Sequence, residues 1–389
     1  MSSDNFIPYG RQQITQQDID SVVDVLTSDF ITQGPAIPRF EHMVADYCSV
    51  NYAVAVNSAT SALHVACLAL GLGQGDWLWT SPNTFVASAN CGLYCGAQVD
   101  FVDIDPRSYN LSVEHLTEKL QIAEKQGRLP KILIPVHFAG QSCDMKAIRQ
   151  LADKYGFSII EDASHAIGGR YLDKPVGNCS YADITVFSFH PVKIITTAEG
   201  GMAMTNNVEL AEKMRALRSH GITRDERHMT HAAEGDWYYQ QVDLGFNYRL
   251  TDIQAALGFS QMQRLDDYVS QRHKLRKIYD QLLADLPVIL PWQYADSHSA
   301  LHLYPIQISD ESGVGRKQVF DSLRAANIGV NVHYIPVPNQ PYYQNMGIAV
   351  SDFANALSYY QRAISLPMYA TLSQEQQEIV VDTLKKALQ

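Results

Sequence analysis

The sequence predicts an α/β fold: a mixed, mostly parallel sheet flanked by helices, followed by a smaller C-terminal α+β domain. Between residues 53 and 206, short β-favouring runs alternate with stretches long enough for crossover helices, the pattern of a parallel sheet covered on both faces. A long helical stretch at 251–285 then leads out of that region. The chain has 389 residues, beyond the size at which one hydrophobic core keeps growing, so two domains are expected. Their predicted bounds are 1–250, an N-terminal segment plus the large domain, and 251–389, a linking helix plus the small domain.

In chain order, residues 15–28 carry Ile19, Val22, Val23 and Leu26 at helical spacing, with Thr15 as N-cap and Asp18 three residues on. A short helix is expected after Pro38. The predicted strands are Ala53–Val56, Trp77–Thr80, Val99–Val102, Ile132–Val136, Phe157–Ile160, Ile184–Phe187 and Met202–Thr205. Helices at 59–71, 84–96, 112–126 and 144–154 separate the earlier ones. The last two are joined by a loop instead of a helix, which predicts an antiparallel pair. Thr251 is the expected N-cap of the 251–285 helix. Beyond it come an apolar run at Leu301–Ile308, a helix at 314–326, a short run at Gly329–His333, and helices at 352–361 and 372–387.

Composition narrows the function. A formal net charge of -11 disfavours attachment to a nucleic-acid backbone, although a local basic pocket for one phosphorylated small molecule stays open. No apolar run approaches the length of a membrane span, and the N-terminus lacks a basic start with an apolar core, so a cytoplasmic protein without a membrane partner is expected. Six cysteines are too few for a disulfide scaffold, and none forms a C-x-x-C pair. Cys91 and Cys95, four apart in an apolar stretch, could share one helix face and are expected to be small buried hydrophobes rather than a metal or redox pair. Gly71, Gly73 and Gly75 follow a helix and precede a strand, the reverse of a dinucleotide fingerprint, and are read as a helix end and loop.

Three stretches carry chemistry. In VNSATSAL, 56–63, a strand runs into small residues and hydroxyls and then a helix; free N–H groups and the helix dipole there suit a phosphate. Plain capping by Asn57 or Ser58 explains it equally well. In SIIEDASHAIGG, 158–169, Asp162 and His165 fall past a strand end, where α/β sheets place ligands, and the competing reading is an N-cap aspartate with a histidine in a turn. In FSFHPVKIITTAEGG, 187–201, Lys193 lies beyond another strand end, where burial would lower its pKa and make the amine nucleophilic. A carboxylate to hold a cationic ring nitrogen, a lysine to form a Schiff base and a phosphate turn are together the parts required for pyridoxal 5′-phosphate.

Motifs over almost the whole chain strengthen that reading: ITQGP at 31–35, NSATSAL at 57–63, SPNTFVASAN at 81–90, EDASHAIG at 161–168, FSFHPVK at 187–193, AEGGMAMTN at 198–206, RSHG at 218–221 and GFNYRLTDIQAALG at 245–258. In these the sequence resembles the DegT-type nucleotide-sugar aminotransferases, fold-type I pyridoxal phosphate enzymes. Within the family it is most similar to the branch that makes the 4-amino-altrosamine precursor of pseudaminic acid. Ala198 in ITTAEGG, where many relatives carry glycine, SHA after Asp162-Ala163, and VHYIP at 332–336 carry that likeness.

The resemblance implies Lys193 as Schiff-base lysine and proton shuttle, Asp162 on the pyridine nitrogen, His165 near the ring or its phenolic oxygen, and Phe85 stacked on the ring. It places Ala59, Thr60 and Ser188 around the phosphate, with Asn247 reaching in from a neighbouring subunit, and hence a homodimer with shared active sites. For the nucleotide sugar it implies Tyr9, Asp29, Phe30, Ile31, Thr32, Val332, His333, Tyr334 and Ile335, with Ala59, Ser188 and Asn247 also within reach. The implied partners are a UDP-linked 4-keto sugar and L-glutamate; no metal is implied. Glu199 lies beside the cofactor loop without an assigned role. No arginine stands out as clamp for the donor carboxylate; Arg11, Arg218, Arg224 and Arg249 are the candidates. The stretch 224–243 matches no motif and is expected to form a loop near the substrate. The rivals are a sugar dehydratase of the same fold, which carries histidine in place of the lysine, a non-catalytic sugar-binding regulator, and an aminotransferase for another UDP-4-keto sugar of the bacillosamine or 4-amino-arabinose type.

Overall fold

The computed structural model describes residues 6–389. Seven strands form the central sheet: β1 (Tyr52–Val56), β2 (Trp77–Thr80), β3 (Gln98–Phe101), β4 (Ile132–Ile134), β5 (Ser158–Asp162), β6 (Ile184–Ser188) and β7 (Gly201–Thr205). Their order is β1-β7-β6-β5-β4-β2-β3. All neighbours run parallel except β7, which is antiparallel to both β1 and β6, so the sheet is mixed and mostly parallel as the sequence predicts. β4 ends two residues earlier than expected, because Pro135 has no N–H to donate to a ladder. β5 runs two residues further, to Asp162.

Helices cover both faces: α1 (Gln16–Leu26), α2 (Ala36–Cys48), α3 (Ala59–Ala69), α4 (Ala87–Tyr94), α5 (Val113–Gln126), α6 (Met145–Tyr155) and α7 (Val208–Leu217). The two-residue period of a strand sorts β1 between two cores. Val54 and Val56 pack with α3 and α4, whereas Ala53 and Ala55 pack with α2 and the 255–269 region. Where Gly71 and Gly75 were expected to end a helix, both adopt positive φ between α3 and β2.

The predicted single helix at 251–285 is two helices, α8 (Asp252–Met262) and α9 (Leu265–Leu282), broken at Gln263-Arg264. The cause is tertiary. Arg264 sends its guanidinium to the fully buried Asp18 of α1 (2.6 and 2.7 Å), which also accepts from Ser260 Oγ and Gln261 Nε2. This ion pair, and not the apolar stripe of α1, anchors that helix; Ile19, Val23 and Leu26 are exposed.

After α9, β8 (Val288–Ile289), β9 (Tyr304–Ile308) and β10 (Ala363–Leu366) form an antiparallel sheet, β9 in the middle. It shares a core with α9, α10 (Arg316–Ala325) and a C-terminal helix at Gln374–Ala387. The predicted run at 329–333 forms only an isolated bridge, Asn331 to Ser365, and residues 331–334 face the carboxyl ends of the central strands. Among the described residues no helix is long and apolar enough to cross a membrane.

Candidate active site

A cavity of about 600 Å³ lies beyond the carboxyl ends of β1, β5 and β6 and is closed on the far side by residues 302 and 331–334. Each wall follows from local chain geometry. β5 delivers Asp162 as its last residue, with only 5% of its surface exposed. Ser88 Oγ, on α4, donates to Asp162 Oδ2 at 2.6 Å, and the Ser164 amide donates to Oδ1 at 3.1 Å, so both carboxylate oxygens are oriented. Thr84 Oγ1 in turn sits 2.8 Å from Ser88 Oγ. A charge this buried needs such partners.

β6 ends at Ser188, and a turn closed by Lys193 N–H to His190 C=O (2.9 Å) brings Lys193 back over the cavity. Burial lowers the Lys193 amine to about 8, against an opposing pull from Asp162. Of the described residues lining the cavity, Lys193 is the only lysine or arginine.

The third wall is the start of α3. Ser58 caps it, accepting from the Ser61 amide at 3.1 Å, while Ser61 Oγ donates to Asn57 Oδ1 at 2.7 Å. Capping, one of the two readings of this turn, is therefore real, yet it leaves the Ala59 and Thr60 amides without an acceptor among the described residues, at the mouth of the cavity. Gly201 holds this end in place: a Cβ there would lie 2.5 Å from Ala59 N and Ser58 C, so only glycine lets β7 run this close.

On the far side His165 Nδ1 accepts from the Ala139 amide (3.3 Å), and His165 Nε2 is 3.0 Å from Tyr334 Oη. The Tyr334 amide donates to Asn83 Oδ1 (3.1 Å). His333 Nδ1 is 2.8 Å from Ser365 Oγ, and its ring is 5.7 Å from that of Tyr9. Burial and the Lys193 charge pull His165, His302 and His333 below the ordinary imidazole range, so all three are neutral at pH 7.

The structure thus brings Tyr9, Ala59, Thr60, Phe85, Asp162, His165, Ser188, Lys193, Val332, His333 and Tyr334 to one cavity, with Glu199 at its rim. Asp29, Phe30, Ile31, Thr32, Asn247 and Ile335 are exposed and do not line it. Residues 31 and 32 lie against the start of α8, where Thr32 bridges Thr251 and the Asp252 amide donates to the Ile31 carbonyl at 3.1 Å, while Asn247 bridges Ser219. None of the four candidate arginines lines the cavity; Arg218 pairs with Glu41 (2.5 Å) and Ala55 C=O (2.7 Å). The 224–243 stretch contributes to a ribbon pairing Ile222–Thr223 with Gln240–Gln241 and also stays outside. Ser88, Asn331 and His302 were not anticipated. Ser88 lies within a quoted motif, but its partner is 74 residues away in sequence and nothing local marks the pair.

The residues fit a phosphorylated pyridine aldehyde: free helix N-terminal amides for the phosphate, an oriented carboxylate for the ring nitrogen, and a lysine depressed enough to present a neutral amine. The comparisons agree. Residues 12–385 match the family model described as the DegT/DnrJ/EryC1/StrS aminotransferase family. A UDP-4-amino-4,6-dideoxy-N-acetyl-β-L-altrosamine transaminase of Campylobacter jejuni is 36% identical, covering 98% of both chains. The solved structure of Helicobacter pylori PseC, an aminotransferase of pseudaminic acid biosynthesis, superimposes with a TM-score of 0.90 at 31% identity, over 98% of this chain and 99% of that one. The PLP form of Spr1654 from Streptococcus pneumoniae gives 0.88 at 29% identity, over 98% of each. The chain belongs to the DegT/DnrJ/EryC1/StrS aminotransferase family and is a pyridoxal phosphate-dependent sugar aminotransferase.

Proposed function

We propose that this enzyme moves the amino group of L-glutamate to C4 of a UDP-linked 4-keto-6-deoxy-hexosamine, UDP-2-acetamido-2,6-dideoxy-β-L-arabino-hex-4-ulose. The products are UDP-4-amino-4,6-dideoxy-N-acetyl-β-L-altrosamine and 2-oxoglutarate, a step of pseudaminic acid biosynthesis. The observation that carries the reading is the placement of Lys193 between the Asp162 wall and the wall formed by Tyr9, His333 and Tyr334. A sugar ketone entering along the second wall meets an amine near neutral pKa. The likeness to the altrosamine transaminase supplies the sugar and the nucleotide.

When bound, pyridoxal 5′-phosphate supplies an aldehyde that takes up the amino group and a pyridinium ring that withdraws electrons. The Ala59 and Thr60 amides, with Ser188, hold its phosphate against the positive end of α3. Asp162, fixed by Ser88 and the Ser164 amide, keeps the ring nitrogen protonated. Lys193 Nζ removes the proton from the α-carbon of glutamate and, in the second half-reaction, delivers a proton to C4 of the sugar. An amine near pKa 8 suits both directions, because both protonation states are accessible near neutral pH. Phe85 lines the cavity, where its side chain stacks on the ring. A second copy of the chain completes the site with Asn247 and the 29–32 segment, making the working unit a homodimer in the cytoplasm.

The test is NMR of the product formed from this UDP-4-keto sugar and glutamate by the purified protein. The expected product has the amino group at C4 in the altro configuration. A faster reaction with the bacillosamine-type or 4-amino-arabinose-type ketone, or with a GDP-linked ketone, overturns the substrate and leaves the enzyme class standing.

A further inference from the structure

We propose that Tyr334 is a catalytic hydrogen-bond donor to the substrate ketone, and that His165, held by the Ala139 amide, is the positioning residue that fixes the direction of that hydrogen bond. The inference rests on the proposed sugar ketone as substrate and adds a chemical role on the far wall of the same cavity.

The direction follows from which atoms can donate. A backbone N–H only donates, so the Ala139 amide at 3.3 Å requires a bare lone pair on His165 Nδ1. A neutral imidazole then carries its proton on Nε2, and Nε2–H donates to Tyr334 Oη at 3.0 Å. With its acceptor side taken, Tyr334 Oη keeps its own O–H to offer to the cavity it lines. The opposite arrangement, Tyr334 donating to Nε2, would put a proton on Nδ1 and aim it at the Ala139 N–H.

The amide cannot turn away. Ala139 has φ +57, the left-handed region, in a turn whose carbonyls are fixed: the Ala300 amide donates to Gly140 C=O (3.0 Å) and the Leu303 amide to Ala139 C=O (3.3 Å). Gly140 is pressed between two backbone segments; a Cβ there would lie 2.8 Å from Leu301 N and 2.9 Å from the His165 carbonyl. A left-handed alanine in a site with this function is backbone strain held by its surroundings. Tyr334 is anchored from behind by its amide on Asn83 Oδ1. Burial pushes the Tyr334 phenol up, and burial together with the Lys193 charge keeps His165 neutral, so neither group exchanges its proton for a charge near neutral pH.

In the reaction, Tyr334 O–H polarises the C=O bond, making the ketone carbon more electrophilic. The oxygen later leaves as water with both protons from the incoming amine, so the phenol is neither consumed nor ionised. The 2-oxo acid half of the cycle starts from an amine at the α-carbon, not from a ketone on this wall, and does not need it.

Two measurements on the holoenzyme test this. With ¹⁵N-histidine, NMR should show His165 with Nδ1 bare and Nε2 protonated, the Nε2 proton slow to exchange in the wild type and fast in Tyr334→Phe, which keeps the ring and the Asn83 bond. In single-turnover experiments Tyr334→Phe should slow the keto-sugar half-reaction by about a hundredfold, the scale of losing one transition-state donor, and leave the glutamate half-reaction near wild type. An Nδ1–H tautomer overturns the proposal whichever sugar is turned over, since it is read without substrate. Equal slowing of both half-reactions overturns it too, by assigning Tyr334 to the cofactor. A different preferred sugar changes only the substrate used in the second measurement.

Discussion

Lys193 and Asp162 show what burial does to two opposite charges in one cavity. Desolvation disfavours the ammonium, and the nearby carboxylate favours it; desolvation is the larger effect and the amine settles at about 8. Below that value the ammonium form dominates, and above it the neutral amine does. In the cofactor-free protein, acylation of Lys193 followed by mass spectrometry should therefore reach half its plateau rate near pH 8, while exposed lysines need higher pH. Because Asp162 pulls the amine up, Asp162→Asn should move that midpoint down; a midpoint that stays put would separate the two charges. Lys193→Arg, which keeps a cation but no titratable amine, should reduce transamination by about 10³-fold. Ala198 is informative at the same scale. It lies at φ +65, where glycine is at ease, and the Thr196 hydroxyl accepts from its amide at 2.9 Å, a local bond that helps hold an alanine in that conformation.

At the scale of elements, the turn proposed to hold the phosphate depends on how closely β7 approaches α3. β1 and β7 pair antiparallel with Val56 opposite Gly201, which puts the glycine directly beneath the first turn of the helix. Gly201→Ala forces those backbones apart and should destabilise the fold by about 1–3 kcal/mol, the usual range for overpacking. It should also weaken binding of pyridoxal 5′-phosphate more than binding of pyridoxal, which lacks the phosphate. Equal losses for the two ligands, measured by absorption titration, would remove the helix amides from phosphate binding. The α8–α9 break is the other lesson here. Residues 251–285 have the composition of one helix, and the break falls where Arg264 reaches Asp18, an interaction of the kind whose one-sided removal costs about 3–5 kcal/mol.

For the whole molecule, several exposed apolar side chains fall in the segments that carry, or flank in sequence, the site residues that the cavity does not contain. Ile19, Val23, Leu26, Phe30 and Ile31 are exposed, as are Tyr94 and Leu244 at 55% and 75%. In the homodimer proposed above, a face carrying these side chains would present residues 29–32 and Asn247 to the partner. Mixing Lys193→Ala with Asn247→Ala subunits after dissociation tests this directly. If Asn247 acts across the interface, each mixed dimer holds one intact site, and activity should recover to about a quarter of wild type. If it acts within its own chain, both sites stay damaged and nothing recovers. Much of the molecule was legible in the sequence. The strands, their mixed directions, and the placement of Lys193, Asp162 and the α3 start beyond strand ends follow from local signals: apolar runs, small residues at a helix start, and charged side chains at strand ends. The hydrogen-bond partners that tune these groups were not legible. Ser88 on Asp162, Ala139 on His165 and Arg264 on Asp18 join residues far apart in the chain, and no local pattern encodes such pairings. The sequence by itself determined which chemistry the chain carries; the tertiary structure decided which charges are buried, which hydrogen-bond partners orient them, and which site residues one chain holds within its own cavity.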